Sequence, residues 1–347
     1  MSLVPTEEQE HLRDAVRRFL AAAPPPTEGP DRRTWRRLAE DLGVTGLIVP
    51  ERHGGAGAGV AELAVVLEEM GAVLCPAPFL SSSVLAASLL RELDGTADLL
   101  TGIASGDSTV VAAPWWDPAA GPVTADADGR LHGRFPCVVD GHLADVLLVV
   151  ADHRGRRGVF AVDAGDLVRR PLTTLDLTRG AARIELAGAA GRPLPCPDPV
   201  RALDVAWNTA AVGLAAEQLG AARRCLEMTV RHARTRVQFG RPIGSFQAVK
   251  HALADLYVDC ELAESAVRHA AWTADADPAE LPRAAALALA SMTAFHAADQ
   301  AIHLHGGMGF TWEHDLHLYY RRAKAAQHLL GDPATHLDRL SQLEFQE

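Results

Sequence analysis

The stretch Arg236-Val-Gln-Phe-Gly-Arg-Pro-Ile-Gly-Ser-Phe-Gln-Ala-Val-Lys-His-Ala-Leu-Ala-Asp255 joins a turn to a long helix. The turn, Gly240-Arg-Pro-Ile-Gly244, is a cluster of helix breakers in an alanine-rich region whose pattern is otherwise helical. A helix with apolar periodicity follows from Phe246. Arg236 at the entry to the turn is a suitable anchor for a diphosphate, because the guanidinium fork matches phosphate oxygens. The alternative is a helix–helix corner that carries a surface arginine.

A second, glycine-rich motif lies downstream at His305-Gly-Gly-Met-Gly-Phe310. Three glycines in five positions let a backbone come close to a ligand, although a plain turn between helices remains the alternative. Arg321-Arg-Ala-Lys324 and Leu330-Gly331 follow it. In this order and spacing, the motifs resemble the signature of the acyl-CoA dehydrogenase family, and the resemblance covers essentially the whole chain.

The resemblance implies an FAD cofactor that is bound across a subunit interface. In the family, the first turn meets the FAD of a neighbouring subunit and the glycine segment packs on the adenosine half of FAD. One position departs from the family, because His303 stands where a glutamine is common. The residues that the resemblance assigns to the cofactor are Arg236, Phe239, Gln247, His303, Gly306 and Gly307.

Local patterns divide the chain into helices, then strands, then helices. Thr6-Glu-Glu-Gln9 is a capping-box pattern that predicts the start of a first helix. Asp128-Gly129 lies between two short β-branched segments and predicts a hairpin turn. Small residues such as Gly220 on the later helices favour close helix packing. The predicted class is α+β, mainly α, with an N-terminal helical domain at 1–107, a β-barrel or sandwich domain at 108–198, and a C-terminal four-helix bundle at 199–347.

Composition limits the classes of function. The chain has 347 residues and a net charge of -11, which disfavours nucleic acid and anionic membranes as partners. No apolar run approaches the ~18 residues of a spanning helix, and the N-terminus lacks a signal-peptide pattern. Five scattered cysteines indicate reduced thiols, which is typical of a cytoplasmic protein. The arginines between Arg223 and Arg236 favour a solvated helix face over a phosphate site.

Two other clusters suggest sites at first sight. Gly54-Gly-Ala-Gly-Ala-Gly59 lacks the Gly-Lys-Ser/Thr end of a phosphate loop and indicates a plain loop. His303, His305, His314 and His317 have no accompanying carboxylate–histidine motif, so no metal site is predicted.

The sequence departs from the family where the chemistry occurs. Abstraction of the α-proton of a thioester requires a carboxylate base. The usual glutamate aligns with Leu330, and the alternative family position falls near Ala210. Asp332 is the nearest carboxylate and our candidate base, although a helix N-cap is the competing role. Glu217 is a weaker candidate that is expected to lie on a polar helix face.

The β-domain also departs from the family. Ala112-Ala-Pro-Trp-Trp-Asp-Pro-Ala-Ala-Gly121 lacks the family's Thr-Glu-Pro and Gly-Ser-Asp residues. Cys137-Val-Val139 replaces a Trp-Ile-Thr beside the flavin, so the threonine hydroxyl is lost. Trp115 and Trp116 are interpreted either as a flavin-stacking pair or as core or partner surface.

The resemblance implies an FAD-dependent oxidoreductase that acts on the CH–CH bond of an acyl-CoA or acyl-carrier thioester, in fatty-acid or steroid side-chain metabolism. It also implies a homodimer, a homotetramer, or a heterotetramer with a homologous subunit, and an electron-transfer flavoprotein as acceptor. In one version the chain acts alone with Asp332 as base; in the other it is the degenerate subunit of a hetero-oligomer. The alternative from another class is a flavin-free structural or regulatory subunit.

Overall fold

The computed structural model describes residues 4–22, 29, 31–126, 128–153, 155–291 and 293–345. The chain forms two compact units, each built from separate stretches of sequence. The first comprises Met1–Ala23, Val60–Cys75 and Ala211–Glu347, and the second comprises Pro24–Gly59 and Pro76–Ala210. The division into three consecutive domains, 1–107, 108–198 and 199–347, stays a prediction, while the order of helices, strands and helices is as expected.

Helices account for most of the described residues. They are α1 Glu7–Leu20, α2 Arg32–Glu40, α3 Val60–Ala72, a π-helix at Phe79–Ala86, α4 Ala87–Arg91, α5 Ala97–Ser105, α6 Pro199–Thr235, α7 Gln247–Ala276, α8 Leu281–Ala290, α9 Ala294–His305, α10 Leu316–Ala326 and α11 Pro333–Glu344. Within the described ranges, none of them combines the length and the apolar character that a membrane crossing requires.

The strands of the second unit close into a barrel. They are β1 Val110–Ala112, β2 Thr124–Ala125, β3 Arg130–Val139, β4 Val146–His153, β5 Arg156–Asp163, β6 Val168–Pro171 and β7 Ala181–Leu194. The pairings run β4–β2–β3–β7–β5 and return to β4, while β1 pairs with β4 and β6 with β7. Closure pairs strands that would otherwise lie at the two ends of an open sheet. The barrel therefore resolves the predicted choice between barrel and sandwich.

The barrel core follows from the alternation of side chains along each strand. Leu131 and Phe135 on β3, Leu147 on β4 and Phe160 on β5 are all buried in one cluster. A register irregularity between Phe135 and Val138 turns Val138 inward as well. The predicted hairpin is confirmed, since β2 and β3 pair antiparallel around the Asp128-Gly129 turn.

Two polar caps fix the helices of the first unit. The predicted capping box is confirmed: the Thr6 hydroxyl accepts from the Gln9 amide at 3.2 Å, and the Gln9 side chain accepts from the Thr6 amide at 3.1 Å. The start of α3 is capped from a distant point in the sequence, because the Asp275 carboxylate accepts from the amides of Val60 and Ala61. Such caps satisfy amides that have no partner inside the helix.

Two glycines set the spacing between α3 and α6. A Cβ on Gly71 would lie 1.9 Å from the Glu217 carbonyl oxygen, and one on Gly220 would lie 1.8 Å from the Glu68 carbonyl oxygen. Only glycine permits this approach of two backbones. The prediction that Gly220 serves close packing is therefore confirmed.

A chain of charges crosses the same contact. The Glu68 carboxylate lies 3.0 Å from the Arg13 guanidinium of α1 and 2.7 Å from that of Arg223 on α6. Arg223 also pairs with Glu264 of α7. The expectation of a solvated arginine face is thus wrong for Arg223, because its guanidinium forms ion pairs inside the helical unit. Arg231, Arg234 and Arg236 are exposed, as expected.

Candidate active site

The turn after α6 exposes the ring of Phe239, whose backbone has an unfavourable positive φ. α6 ends at Thr235, and the short strands β8 (Val237–Gln238) and β9 (Arg241–Pro242) pair around Phe239 and Gly240. Both central residues have positive φ, 52° and 77°, as in a type I′ hairpin turn. A phenylalanine in this region is strained by about 1–3 kcal/mol. Its side chain is 92% exposed, so little burial within the described chain offsets that strain.

The other predicted residues of the first motif surround this turn. The Arg236 carbonyl accepts from the Ile243 amide at 2.8 Å, while its side chain is exposed and forms no ion pair with another described residue. Arg241 lies over the Phe246 ring at 4.1 Å, and the Phe239 ring meets Phe246 edge-on at 6.1 Å. Gln247 is the exposed first residue of α7. The structure thus gathers Arg236, Phe239 and Gln247 on one exposed turn.

The second motif forms an exposed glycine turn at the end of α9. Gly306 has φ 63° and ψ −144°, a region essentially reserved for glycine. A Cβ on Gly306 or Gly307 would meet nothing within 4 Å, so packing inside the described chain does not explain why Gly307 is a glycine. Gly309, in contrast, packs against His305, because a Cβ on Gly309 would lie 2.8 Å from the Cβ of His305. His303 is exposed one turn before this segment.

The resemblance assigns these residues to the diphosphate and adenosine part of FAD, and their chemistry is compatible with that part. The Arg236 guanidinium and the Phe239 ring are both exposed and accessible. The exposed backbone at Gly306 and Gly307 leaves space for close approach, as a phosphate requires. No set of three or more His, Cys, Asp or Glu side chains in the described part of the chain has metal-binding geometry.

The two residues that the resemblance aligns with the family's base are both buried and apolar. Leu330 is 4% exposed and Ala210 is 1% exposed. Asp332 is exposed at the N-cap of α11, where its carboxylate accepts from the Thr335 amide at 2.8 Å and from the Thr335 hydroxyl at 2.7 Å. These hydrogen bonds hold the pKa of the Asp332 carboxyl below its usual value. The competing role as a cap is therefore present in the structure, and a lowered pKa makes the group a weaker base.

The expectation for Glu217 is wrong. It is not on a polar face but buried, and its carboxylate lies 3.1 Å from the Arg322 guanidinium of α10, with both side chains 5% exposed. Sequence reasoning missed this pair because the two residues are 105 positions apart. The only local signal was the second arginine in Arg321-Arg-Ala-Lys324.

In the barrel unit, Trp115 and Trp116 contact each other edge to face at 4.7 Å and are half-buried. Cys137 is exposed and Val139 is half-buried. Sequence analysis did not single out Asp140, which directly follows Val139. Asp140 is buried, has a φ of 55°, and accepts a hydrogen bond of 2.7 Å from the Ser81 hydroxyl. The Asp140-Gly141 dipeptide was its signal.

The Gly54–Gly59 segment is a loop, and local packing and backbone conformation explain its glycines. A Cβ on Gly55 would lie 2.1 Å from the Val49 carbonyl oxygen, and Gly54 has a φ of 82°. This bears out the interpretation as a plain loop.

Comparisons with known proteins agree with this geometry. The sequence profile of the acyl-CoA dehydrogenase N-terminal domain matches residues 6–100, and that of the C-terminal domain matches residues 202–342. Acyl-CoA dehydrogenase IpdE2 of Mycobacterium tuberculosis is 39% identical over 355 residues, which cover 97% of this chain and 98% of that protein. The chain belongs to the acyl-CoA dehydrogenase family. Its enzymatic class is therefore that of an acyl-CoA dehydrogenase, an oxidoreductase of CH–CH bonds.

Two solved structures extend the comparison. The ChsE4–ChsE5 complex from Mycobacterium tuberculosis contains a chain that is 34% identical, with a TM-score of 0.89 and full coverage of both chains. A variant of the steroid ACAD Tcur3481–Tcur3483 is 31% identical, with a TM-score of 0.84 over 97% of this chain and 98% of the other. Both are complexes of two named subunits. Members of the family bind FAD.

Proposed function

We propose that this acyl-CoA dehydrogenase binds FAD and works as one subunit of a hetero-oligomer whose homologous partner supplies the catalytic base. The observation that carries the proposal is that Leu330, which the resemblance aligns with the family's base, is a buried aliphatic side chain. The two turns that the resemblance assigns to the cofactor are exposed and contain glycines with positive φ. A missing base beside accessible cofactor turns supports a division of labour between two subunits.

This chain's contribution is to anchor the cofactor. Arg236 would bind the diphosphate through its guanidinium fork, and Phe239 and Gln247 would contact the same half of FAD from the exposed turn. Gly306 and Gly307 would admit the cofactor to their backbone, with His303 beside them. When bound, FAD accepts the hydride from the β-carbon of the acyl thioester.

The substrate class follows from the relatives. We propose a bulky acyl-CoA, such as one derived from a steroid, because the similar Tcur3481–Tcur3483 structure is a steroid ACAD. The proposed partner is a homologous acyl-CoA dehydrogenase subunit in a heterotetramer, and the proposed electron acceptor is an electron-transfer flavoprotein. The two-subunit assembly of the similar ChsE4–ChsE5 complex supports the choice of partner.

The test compares the visible spectrum of the chain purified alone with that of the chain coexpressed with a homologous subunit from the same genome. Straight-chain and steroid-derived acyl-CoAs are then added without oxygen. We expect flavin bands that bleach only in the coexpressed complex and only with bulky thioesters. Bleaching by the chain alone would refute the need for a partner base, and a colourless complex would favour the flavin-free alternative.

The second candidate is a solo enzyme with Asp332 as base, and it has a matched test. Asparagine caps helices as well as aspartate does, so Asp332→Asn removes the charge while preserving the start of α11. We expect the variant complex to retain flavin and to bleach as the wild type does. If it retains flavin but no longer bleaches, Asp332 is the base.

A further inference from the structure

Two histidine rings connect the two turns that are assigned to the cofactor. The His232 ring of α6 and the His305 ring of α9 are stacked, with centroids 4.1 Å apart and planes inclined by 23°. His305 is 7% exposed. The His314 ring meets His305 edge-on at 4.8 Å. A stack of two imidazoles inside a helical unit is a specific contact rather than a solvated histidine face.

Each ring is fixed to one of the turns. The His232 carbonyl accepts from the Arg236 amide at 2.8 Å, so His232 lies one helical turn before the exposed arginine. His305 directly precedes Gly306, and Gly309 packs against its Cβ. Its ring Nδ1 lies 2.7 Å from the Ala301 carbonyl oxygen. Because a carbonyl only accepts, Nδ1 carries the proton and the ring is orientated from its own helix.

We propose that the His232–His305 stack is a positioning device that holds the Arg236 turn and the Gly306-Gly307 turn in the mutual arrangement that binds the FAD diphosphate. This inference rests on the proposed function. Neither ring is assigned to the cofactor itself; they act through the two backbones that they join.

The surroundings favour the uncharged form of both rings. The two rings line a cavity of about 380 Å³. The charged or titratable groups that also line it are Arg224, Arg231, His314, Glu313 and Asp315. Burial lowers the pKa of the His305 ring to about 4, and the charges of His232 and His314 act in the same direction. Burial and the charge of Arg236 also lower the pKa of His232. Two stacked cations would repel each other, so the device holds at neutral pH and weakens in acid.

The first test uses hydrogen exchange on the flavin-free chain and therefore does not depend on the cofactor. His305→Leu removes the stacked ring, and the matched control is His296→Leu at an exposed position of the same helix. We expect the His305 variant to accelerate amide exchange at least tenfold in both the 236–247 and 306–312 segments, and the control to leave both unchanged. Faster exchange in 306–312 alone would overturn the coupling between the turns.

The second test measures FAD affinity of the coexpressed complex against pH. We expect His305→Leu to raise the Kd for FAD at least tenfold at pH 7.5. His305→Phe keeps a ring for stacking and cannot be protonated, so its Kd should change little between pH 7.5 and pH 4, while the wild-type Kd rises as the His305 ring takes up a proton near pH 4. Equal pH profiles for the two would overturn the proposal. A wild-type complex that binds no FAD would refute the proposed function. The hydrogen-exchange experiment would still decide whether the stack couples the two turns.

Discussion

The buried pair of Glu217 and Arg322 gives the sharpest energetic prediction. Both side chains are 5% exposed and their charged atoms lie 3.1 Å apart. Removing one partner takes the ion-pair partner away from a buried charge, which typically costs about 3–5 kcal/mol. Glu217→Leu and Arg322→Met should therefore each lower the free energy of unfolding by about that amount. The double variant should lose far less, because apolar side chains of similar volume replace a buried pair at little cost.

The assay is urea unfolding followed by circular dichroism, with a second probe to check that a single transition is observed. The exposed pair Arg37–Asp41 has the same 3.1 Å distance and serves as the control; its coupling energy should be about 0–1 kcal/mol. A double variant of Glu217 and Arg322 that loses the sum of the two single effects would refute the reasoning, because it would show that the pair is not coupled.

The two single variants should also differ in their response to pH. In Arg322→Met the buried Glu217 carboxylate can take up a proton in acid and shed its charge, so the deficit in stability should shrink as the pH falls. In Glu217→Leu the guanidinium cannot lose its proton, so the deficit should stay constant down to about pH 5, above the range in which the wild-type carboxylate takes up a proton. Parallel pH profiles of the two variants would contradict the assignment of a buried, paired charge.

Three further predictions concern packing, titration and capping. Gly220→Ala would place a Cβ 1.8 Å from the Glu68 carbonyl oxygen and force α3 and α6 apart. It should lower the free energy of unfolding in urea by about 3 kcal/mol. In the control Gly165→Ala the new Cβ meets nothing within 4 Å, so the free energy of unfolding should change by less than about 0.5 kcal/mol. The pKa of the His305 ring lies near 4 in the fold and at 6.5 when exposed. The contribution of the neutral ring to the free energy of unfolding is therefore complete above pH 6.5 and is lost as the pH falls towards 4, by at most about 3 kcal/mol. His305→Phe should flatten the pH dependence of stability in that window, and an unchanged pH dependence would count against the burial of this ring. Asp332→Ala removes the N-cap of α11 and should cost about 1 kcal/mol, while Asp332→Asn should cost almost nothing; equal losses in thermal unfolding would show that the cap does not depend on the side-chain oxygen.

Local signals predicted much of the fold. The capping box at Thr6 and the turn at Asp128-Gly129 each act over a few residues, and each is present as expected. The turn at Phe239-Gly240 is similar, since Gly240 supplies the positive φ of a hairpin. Such features were predictable because their physical cause lies within one turn of chain.

The candidate site was only partly predictable for the same reason. Arg236, Phe239 and Gln247 are close in sequence, and the structure gathers them on one turn. The strained φ of Phe239 had no sequence signal, because phenylalanine is not a residue that favours this conformation. The neighbours of Asp332 in sequence indicated only its role as a helix cap.

The sequence by itself therefore determined the order of helices and strands, the helix ends and the two turns, because propensity, capping and glycine conformations are local. Only the tertiary structure decided that Glu217 is buried against Arg322, that His232 stacks on His305, and that Gly71 and Gly220 bring two helices into contact. These contacts join residues far apart in the chain, where no periodicity links the partners. Their energies depend on burial and distance, which exist only after the helices have packed.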